Sequence, residues 1–348
     1  MSDLLDVVVV GGGQAGLAMG YHLRRRGPEF VVLEATAALG SVWRSRWDSL
    51  RLFTPARYAG LPGMPFPGPP DSYPGKDRVA DYLAEYAAAF DLPVRLDTPV
   101  TSLRHDGDVF TLDSASGHFR ARHVVVATGP FQTPMVPAIA TGLAGDVAQL
   151  HSSTYRGPGQ LAGQEVLVVG GGNSGFQIAA ELAGDRDVVL SVGTRNAAVA
   201  QRPLGRDIFW WQTVLGLVTA PADARLGRWM RRGEGTVIGT TRHRLRRAGV
   251  VFRSRLVSAR GREVRFADER VHRLGAGASV VWATGFRRDH SWIDIPGALD
   301  EHGRLRHDGG VTPVAGLFVL GQPWQRSSGS ALIGYVGQDA EHLAGLIG

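Results

Sequence analysis

Two glycine-rich hexads, Gly11-Gly12-Gly13-Gln14-Ala15-Gly16 and Gly170-Gly171-Gly172-Asn173-Ser174-Gly175, stand where a β-branched run gives way to a helical pattern. Their chemistry is phosphate binding. In such a loop the first glycine allows a sharp turn, the second lets backbone approach a pyrophosphate, and the third lets the helix pack close against the strand. Helix N–H groups and the macrodipole then face the anion. The strands after the two loops end differently. After the first, the strand Phe30 to Leu33 ends in Glu34, 23 positions beyond Gly11, where a carboxylate can accept from both ribose hydroxyls and would repel a 2′-phosphate. That cradle suits FAD or NAD. After the second, the strand Val188 to Val192 ends in Gly193-Thr194-Arg195 without an acid, and Arg195 can pair bidentately with a 2′-phosphate, with Arg202 as a helper. That is the signature expected for NADP, a solvated turn arginine being the competing reading.

The elements that must position these loops are legible around them. Val7 to Val10 and Glu165 to Val169 are short, continuous and β-branched, as strands buried on both faces of a parallel sheet should be. Two further strands, Val124 to Ala127 and Val280 to Ala283, run into Thr128-Gly129 and Thr284-Gly285, where small residues let backbone meet a nucleotide at the carboxyl edge of a sheet. Between the loops, short strands are expected at Val94 to Leu96, Val100 to Arg104, Val109 to Asp113 and His118 to Arg120, with a hairpin at Asp106-Gly107. Val100 is counted with the cofactor-contacting positions, and Asp77 to Phe90 has helical spacing. The stretch holding Trp43, Arg44, Trp47, Arg51, Phe53 and Thr54 reads as a lid along a bound flavin, with core packing the equal alternative for Trp47 and Phe53. Leu61 to Tyr73, rich in proline and glycine, should be irregular. Pro203 to Gly233 reads as partly helical, its aromatics buried in the core or at a homodimer contact. Leu317 to Leu320 forms a closing strand into Gly321-Gln322, and Ser330 to Ile347 a final helix whose positive end could face the flavin. The expected architecture is α/β with two Rossmann-like domains. The FAD-binding domain is discontinuous, 1–150 and 286–348, and the NADPH-binding domain, 151–285, is inserted into it.

Composition removes other chemistries. The 348 residues contain no cysteine, which excludes disulfides, zinc–thiolate sites and any Cys-x-x-Cys redox relay within this sequence. No metal site is expected. The formal net charge is +6, and the positive residues are almost all arginine, spread along the chain without a basic run, so anionic nucleotide cofactors rather than nucleic acid account for the excess. The first residues lack signal-peptide character and no apolar run is long enough to span a bilayer, so a cytoplasmic protein without a transmembrane segment is expected.

With both loops, both Ala-Thr-Gly strands and the closing strand in place, the chain resembles the two-dinucleotide-binding flavoproteins, and within them the class B flavin-dependent monooxygenases. Gly11, Gly13, Gly16 and Glu34, the Gly40–Trp43 step with Tyr73-Pro74-Gly75-Lys76-Asp77, the second hexad and Gly321 carry the resemblance over nearly the whole chain. Two positions depart from the family pattern. The fingerprint Phe-x-Gly-x-x-x-His is here Leu143, Gly145 and His151 with two extra positions, followed by Tyr155, and Thr54 is the nearest match to the asparagine that several members hold beside the reactive flavin carbon. The resemblance implies FAD, NADPH and molecular oxygen, a flavin C4a-(hydro)peroxide, a small organic or heteroatom substrate, and Thr54 as a hydrogen-bonding catalytic residue. It makes His151 a linker residue that orients two domains through an N–H on a backbone carbonyl. An NADPH-dependent reductase or oxidase, or a non-enzymatic redox sensor, are the alternatives; Gln322 replaces the aspartate that disulfide reductases usually place after that glycine.

Overall fold

Among the described residues the strand Leu4–Val10 sits inside an eight-stranded sheet, flanked in parallel by Phe30–Leu33 and Gly117–Val126. The structure is a computed structural model describing residues 4–193, 196–232 and 235–347. Burial on both faces explains why the last four residues of this strand, Val7 to Val10, are all valine. Val7 and Val9 face a core shared with helices Gln14–Arg26, Lys76–Ala89 and Val336–Ile347, while Val8 and Val10 face a second core with Leu103, Phe110 and Leu112. Val7, Val8 and Val9 are fully buried, and each such side chain contributes about 1.5–3 kcal/mol on burial.

The outer strands Val100–Asp106 and Val109–Ser114 form an antiparallel hairpin at Asp106-Gly107, as its turn residues predict. His118 to Arg120 and Val124 to Ala127, read as two strands, are one continuous strand, Gly117–Val126. Its first half pairs with the hairpin, and its last three residues pair with Leu317–Val319 from the far end of the chain. The intervening Ala121 and His123 keep their backbone in the ladder against Leu5 and Val7, so no break occurs.

Among the described residues the second sheet has five parallel strands in the order Val251–Arg253, Asp187–Ser191, Glu165–Val169, Ser279–Trp282 and Ala148–His151. Val166 and Val168 pack under helix Asn173–Leu182, and Leu167 and Val169 face a three-stranded antiparallel sheet of 256–273. The chain crosses between the two sheets through an antiparallel pair, Thr133–Pro134 with Phe286–Arg287.

One more local expectation is corrected. The last helix begins at Val336 rather than Ser330, because a Cβ on Gly334 would stand 2.0 Å from the Tyr58 carbonyl oxygen and the chain runs through successive turns to pass it. Of its two expected placements Trp47 takes the core: it is 3% exposed and packs in the second sheet's core with Leu50, Tyr155 and Val166. In the 203–233 stretch, helices Ile208–Val214 and Arg225–Arg231 form, and Trp229, 69% exposed on the single chain, is not part of the core, so of its two expected placements only the homodimer contact stays open. No helix among the described residues is long and apolar enough to cross a membrane.

Candidate functional site

The two hexads fold to the same construction. Gly11 has φ +111° and Gly170 φ +142°, a region that favours glycine. A Cβ on Gly11 would lie 2.6 Å from the Ala127 carbonyl oxygen, and one on Gly170 2.1 Å from that of Ala283. The third glycines are tighter still: a Cβ on Gly16 would fall 1.9 Å from Gly11 O, and one on Gly175 2.2 Å from Gly170 O. The strand-to-loop hydrogen bonds also repeat, Gly11 N to Leu33 O at 2.8 Å and Gly170 N to Ser191 O at 2.9 Å.

The middle glycines differ in kind. Gly13 and Gly172 are the N-caps of their helices, in extended backbone, and no protein atom lies within 4 Å of a Cβ built on either. Neither helix has a side-chain cap, so the N–H groups of Gln14, Ala15 and Gly16, and of Asn173, Ser174 and Gly175, point outward with the helix dipole behind them. Such an end binds an anion.

Around the first loop the structure gathers most of the residues expected there. The Glu34 carboxylate accepts from Gly12 N at 2.8 Å through Oε2 and from Thr36 N and Oγ1 at 3.0 and 2.6 Å through Oε1. Charge-assisted bonds of this sort contribute about 1.5–3 kcal/mol each, so Glu34 holds the loop as well as facing it. Thr128 N stands 3.1 Å from a Cβ on Gly11, and Gln132 Nε2 donates to Thr128 Oγ1 at 2.7 Å and to Gly129 O at 3.1 Å. From the far end of the chain, Gly321 comes so close that its Cβ would lie 2.8 Å from that of Ala15. The next residue, Gln322, is 4% exposed, yet neither Oε1 nor Nε2 of its amide has a hydrogen-bond partner. A buried amide without partners costs about 1–3 kcal/mol, and native proteins place such groups against ligands. The outward-facing helix end and the unpaired Gln322 amide beside it fit a dinucleotide carrying phosphates and hydroxyls.

Around the second loop, Asn173 Oδ1 accepts from Ile238 N at 3.0 Å, and Ser174 lies half-buried in the helix's first turn. Thr284 Oγ1 donates to the Met135 carbonyl and Met135 N to Gly285 O at 3.0 Å, so the end of this strand is tied to the crossing segment. His151 is fixed there too. Its Nδ1 accepts from Ser153 N at 3.1 Å, leaving Nε2 to donate to Gly285 O at 3.0 Å. Burial, reinforced by Arg46, holds its pKa below the usual histidine value, so the ring is a neutral orienting group. Arg195 lies outside the described residues.

The other expected positions have these surroundings. Trp43 is half-buried and packs against the cores of both sheets, marking their junction. Arg44 is exposed and turned to Asp81 at 2.6 Å and Asp77 at 3.9 Å. Val100 packs at the edge of the hairpin core, two residues from Thr98, whose N–H donates to Glu34 O at 2.8 Å. Thr54 is 3% exposed, between Phe53, whose ring stacks on Phe209, and the short 3-10 helix Ala56–Tyr58. Tyr58, Leu61, Met64, Thr213 and Tyr335 line an open cavity of about 420 Å³. Sequence reasoning missed Thr36, Gln132 and Asp207, whose roles lie in contacts made on folding. Only Asp207 carried a local signal, a helix-capping residue before Ile208-Phe209-Trp210.

Comparison with known proteins points the same way. The sequence matches the pyridine nucleotide-disulphide oxidoreductase family over residues 8–203. It is 44% identical to an uncharacterized CzcO-like oxidoreductase of Geobacillus kaustophilus over 99% of this chain and 98% of that one. A solved flavin-containing monooxygenase from Stenotrophomonas maltophilia is 30% identical, with a TM-score of 0.81 and coverage of 99% of this chain and 98% of that one. An indole-3-pyruvate monooxygenase of Oryza sativa, YUCCA4, is 37% identical over 52% of this chain and 45% of its own.

Proposed function

This chain belongs to the pyridine nucleotide-disulphide oxidoreductase family, and from that premise we propose that it is an FAD-containing, NADPH-dependent monooxygenase acting on a small organic or heteroatom substrate. The observation that carries the reading is the doubled cradle. One loop is backed by Glu34 and by the unpaired Gln322 amide, and the other leads to a strand end without an acid. The dithiol chemistry of the family's name is closed to a sequence with no cysteine. The similarity to a flavin-containing monooxygenase supports oxygen rather than a disulfide as the acceptor.

In this reading FAD lies on the sheet begun by Leu4–Val10 and NADPH on the inserted unit, residues 151–285, to whose sheet we also assign the strand Ala148–His151. Bound flavin, once reduced, supplies the activation of oxygen. The chain supplies binding, orientation and dryness. The helix end at Gly13 takes the pyrophosphate, Glu34 accepts from ribose hydroxyls while anchoring Gly12 and Thr36, and Gln322 offers both a donor and an acceptor to the sugar chain. Gly172 and the helix end behind it take the second pyrophosphate. His151, through Gly285, fixes how the NADPH strand end meets the crossing segment. Thr54, buried beside the junction, is assigned a hydroxyl hydrogen bond to the reacting group.

The test is spectroscopic. Purified protein should be yellow, be reduced by NADPH faster than by NADH, and give on mixing with oxygen a transient absorbance distinct from oxidised and reduced flavin. Immediate reoxidation with stoichiometric peroxide and no transient would replace the monooxygenase by an oxidase or reductase.

A further inference from the structure

A buried carboxylate joins the two units. Asp207 is 8% exposed. Its Oδ2 accepts hydrogen bonds from the Tyr73 hydroxyl at 2.6 Å and Gln201 Nε2 at 2.9 Å, and its Oδ1 accepts from Phe209 N at 2.8 Å. Gln201 Nε2 also donates to the Phe53 carbonyl at 2.8 Å, and the Phe53 ring lies nearly parallel to Phe209, 6.0 Å away. Burial and then Asp207 raise the pKa of Tyr73, so its hydroxyl keeps its proton and donates. Tyr73 and Phe53 precede the inserted unit, while Gln201, Asp207 and Phe209 belong to it. Capping of a seven-residue helix needs only the bond from Phe209 N. The other contacts reach 134 residues from Asp207 to Tyr73 and 148 residues from Gln201 to Phe53.

We propose that Asp207 is a positioning residue. Its carboxylate clasps the Phe53–Thr54 segment and Tyr73 to the inserted unit, so that the hydride donor carried by that unit meets the flavin in one register. This rests on the reading of the two cradles as FAD and NADPH sites.

Asp207→Asn separates clasp from cap. Asparagine caps a helix as well as aspartate does, and its Oδ1 can still accept from Phe209 N. Its amide NH₂ would then face Gln201 Nε2, donor against donor, and the charge is gone. In the protein as purified, amides of residues 53–58 should exchange with deuterium roughly 10-fold faster than in wild type, the loss expected for one charge-assisted bond. The rate constant for flavin reduction at saturating NADPH should fall by a similar factor, with flavin content and KM for NADPH unchanged. Tyr73→Phe, which spares the Gln201 bonds, should move both readouts the same way by less, and it decides the matter should Asp207→Asn fail to fold. Wild-type exchange in residues 53–58, or faster exchange spread evenly over the chain, overturns the proposal. Wild-type flavin that NADPH does not reduce overturns the cofactor reading instead and leaves the exchange result to judge the clasp.

Discussion

Alanine at the second and third glycines of one loop should do opposite things. At Gly16 the new methyl would sit 1.9 Å from the Gly11 carbonyl oxygen, more than an ångström inside any tolerable contact, and both partners are backbone. The helix must retreat from the strand. Overpacking of this kind costs about 1–3 kcal/mol, which in a chain of this size lowers Tm by about 1–4 °C. At Gly13 nothing lies within 4 Å of the new methyl and φ is −76°, open to any residue. Alanine caps a helix worse than glycine by about 0.5–1 kcal/mol, and the stiffer unfolded chain returns about 0.4–1 kcal/mol, so Tm should stay within about 1 °C. The methyl would, however, stand where a pyrophosphate approaches. Losing one such charge-assisted bond, about 1.5–3 kcal/mol, weakens FAD binding roughly 10- to 100-fold. Scanning fluorimetry of the flavin-free protein and titration with FAD measure the two effects separately. Gly13→Ala binding FAD as tightly as wild type, or Gly16→Ala melting unchanged, would refute the division of labour.

Gln322→Met removes a buried amide that has no partner, so the flavin-free protein should gain about 1–2 kcal/mol by denaturant unfolding while FAD affinity falls; loss of both together would mean the amide is paired in the free protein. Burial holds His151, and also His22 and His290, below the ordinary histidine pKa of 6.5. The unfolded chain therefore takes up these protons first, and stability present above about pH 6.5 is lost as pH falls through the lower folded values. Tm should drop between about pH 7.5 and pH 5.5, and His151→Gln, which can still donate to Gly285 O, should shrink that drop; an unchanged pH slope would show that His151 does not titrate in this way. Arg195→Ala should erode the preference for NADPH over NADH in kcat/KM by roughly 10-fold or more, as loss of a bidentate phosphate contact does; an unaltered ratio removes Arg195 from the 2′-phosphate site.

The glycine loops were legible because their constraint is local. A turn with the backbone of Gly11, a helix pressed on a carbonyl at Gly16 and a strand of valines each leave a mark within a few residues. That a late strand, Leu317–Val319, closes the first sheet was expected from its apolar run into glycine, but its partner, Val124–Val126, was not legible. Trp47 shows where this logic stops. By sequence it belongs with the first unit, but Trp47 Nε1 and its ring are buried among residues of the second, and a connector's side chains go to whichever core is nearest once both have formed. The start of the last helix depended on Tyr58, whose backbone leaves room only for glycine at 334. The tether of Glu34 to Gly12 and Thr36 is likewise a choice of rotamer, which no periodicity records.

The late arrival of Leu317–Val319 has a consequence for how the chain acquires its first site during synthesis. Phe318 pairs with Val125 and Gly321 packs against Ala15, partners both made long before the closing strand. The inserted sheet needs only residues from Ala148 to Trp282 and can close while the remainder is still being made. The first loop gains its last wall only when the closing strand emerges, after a loop closure whose entropic cost rises only slowly with length but whose delay is set by translation. The stretch that looks complete in the first few dozen residues is thus the last of the two cradles to be finished.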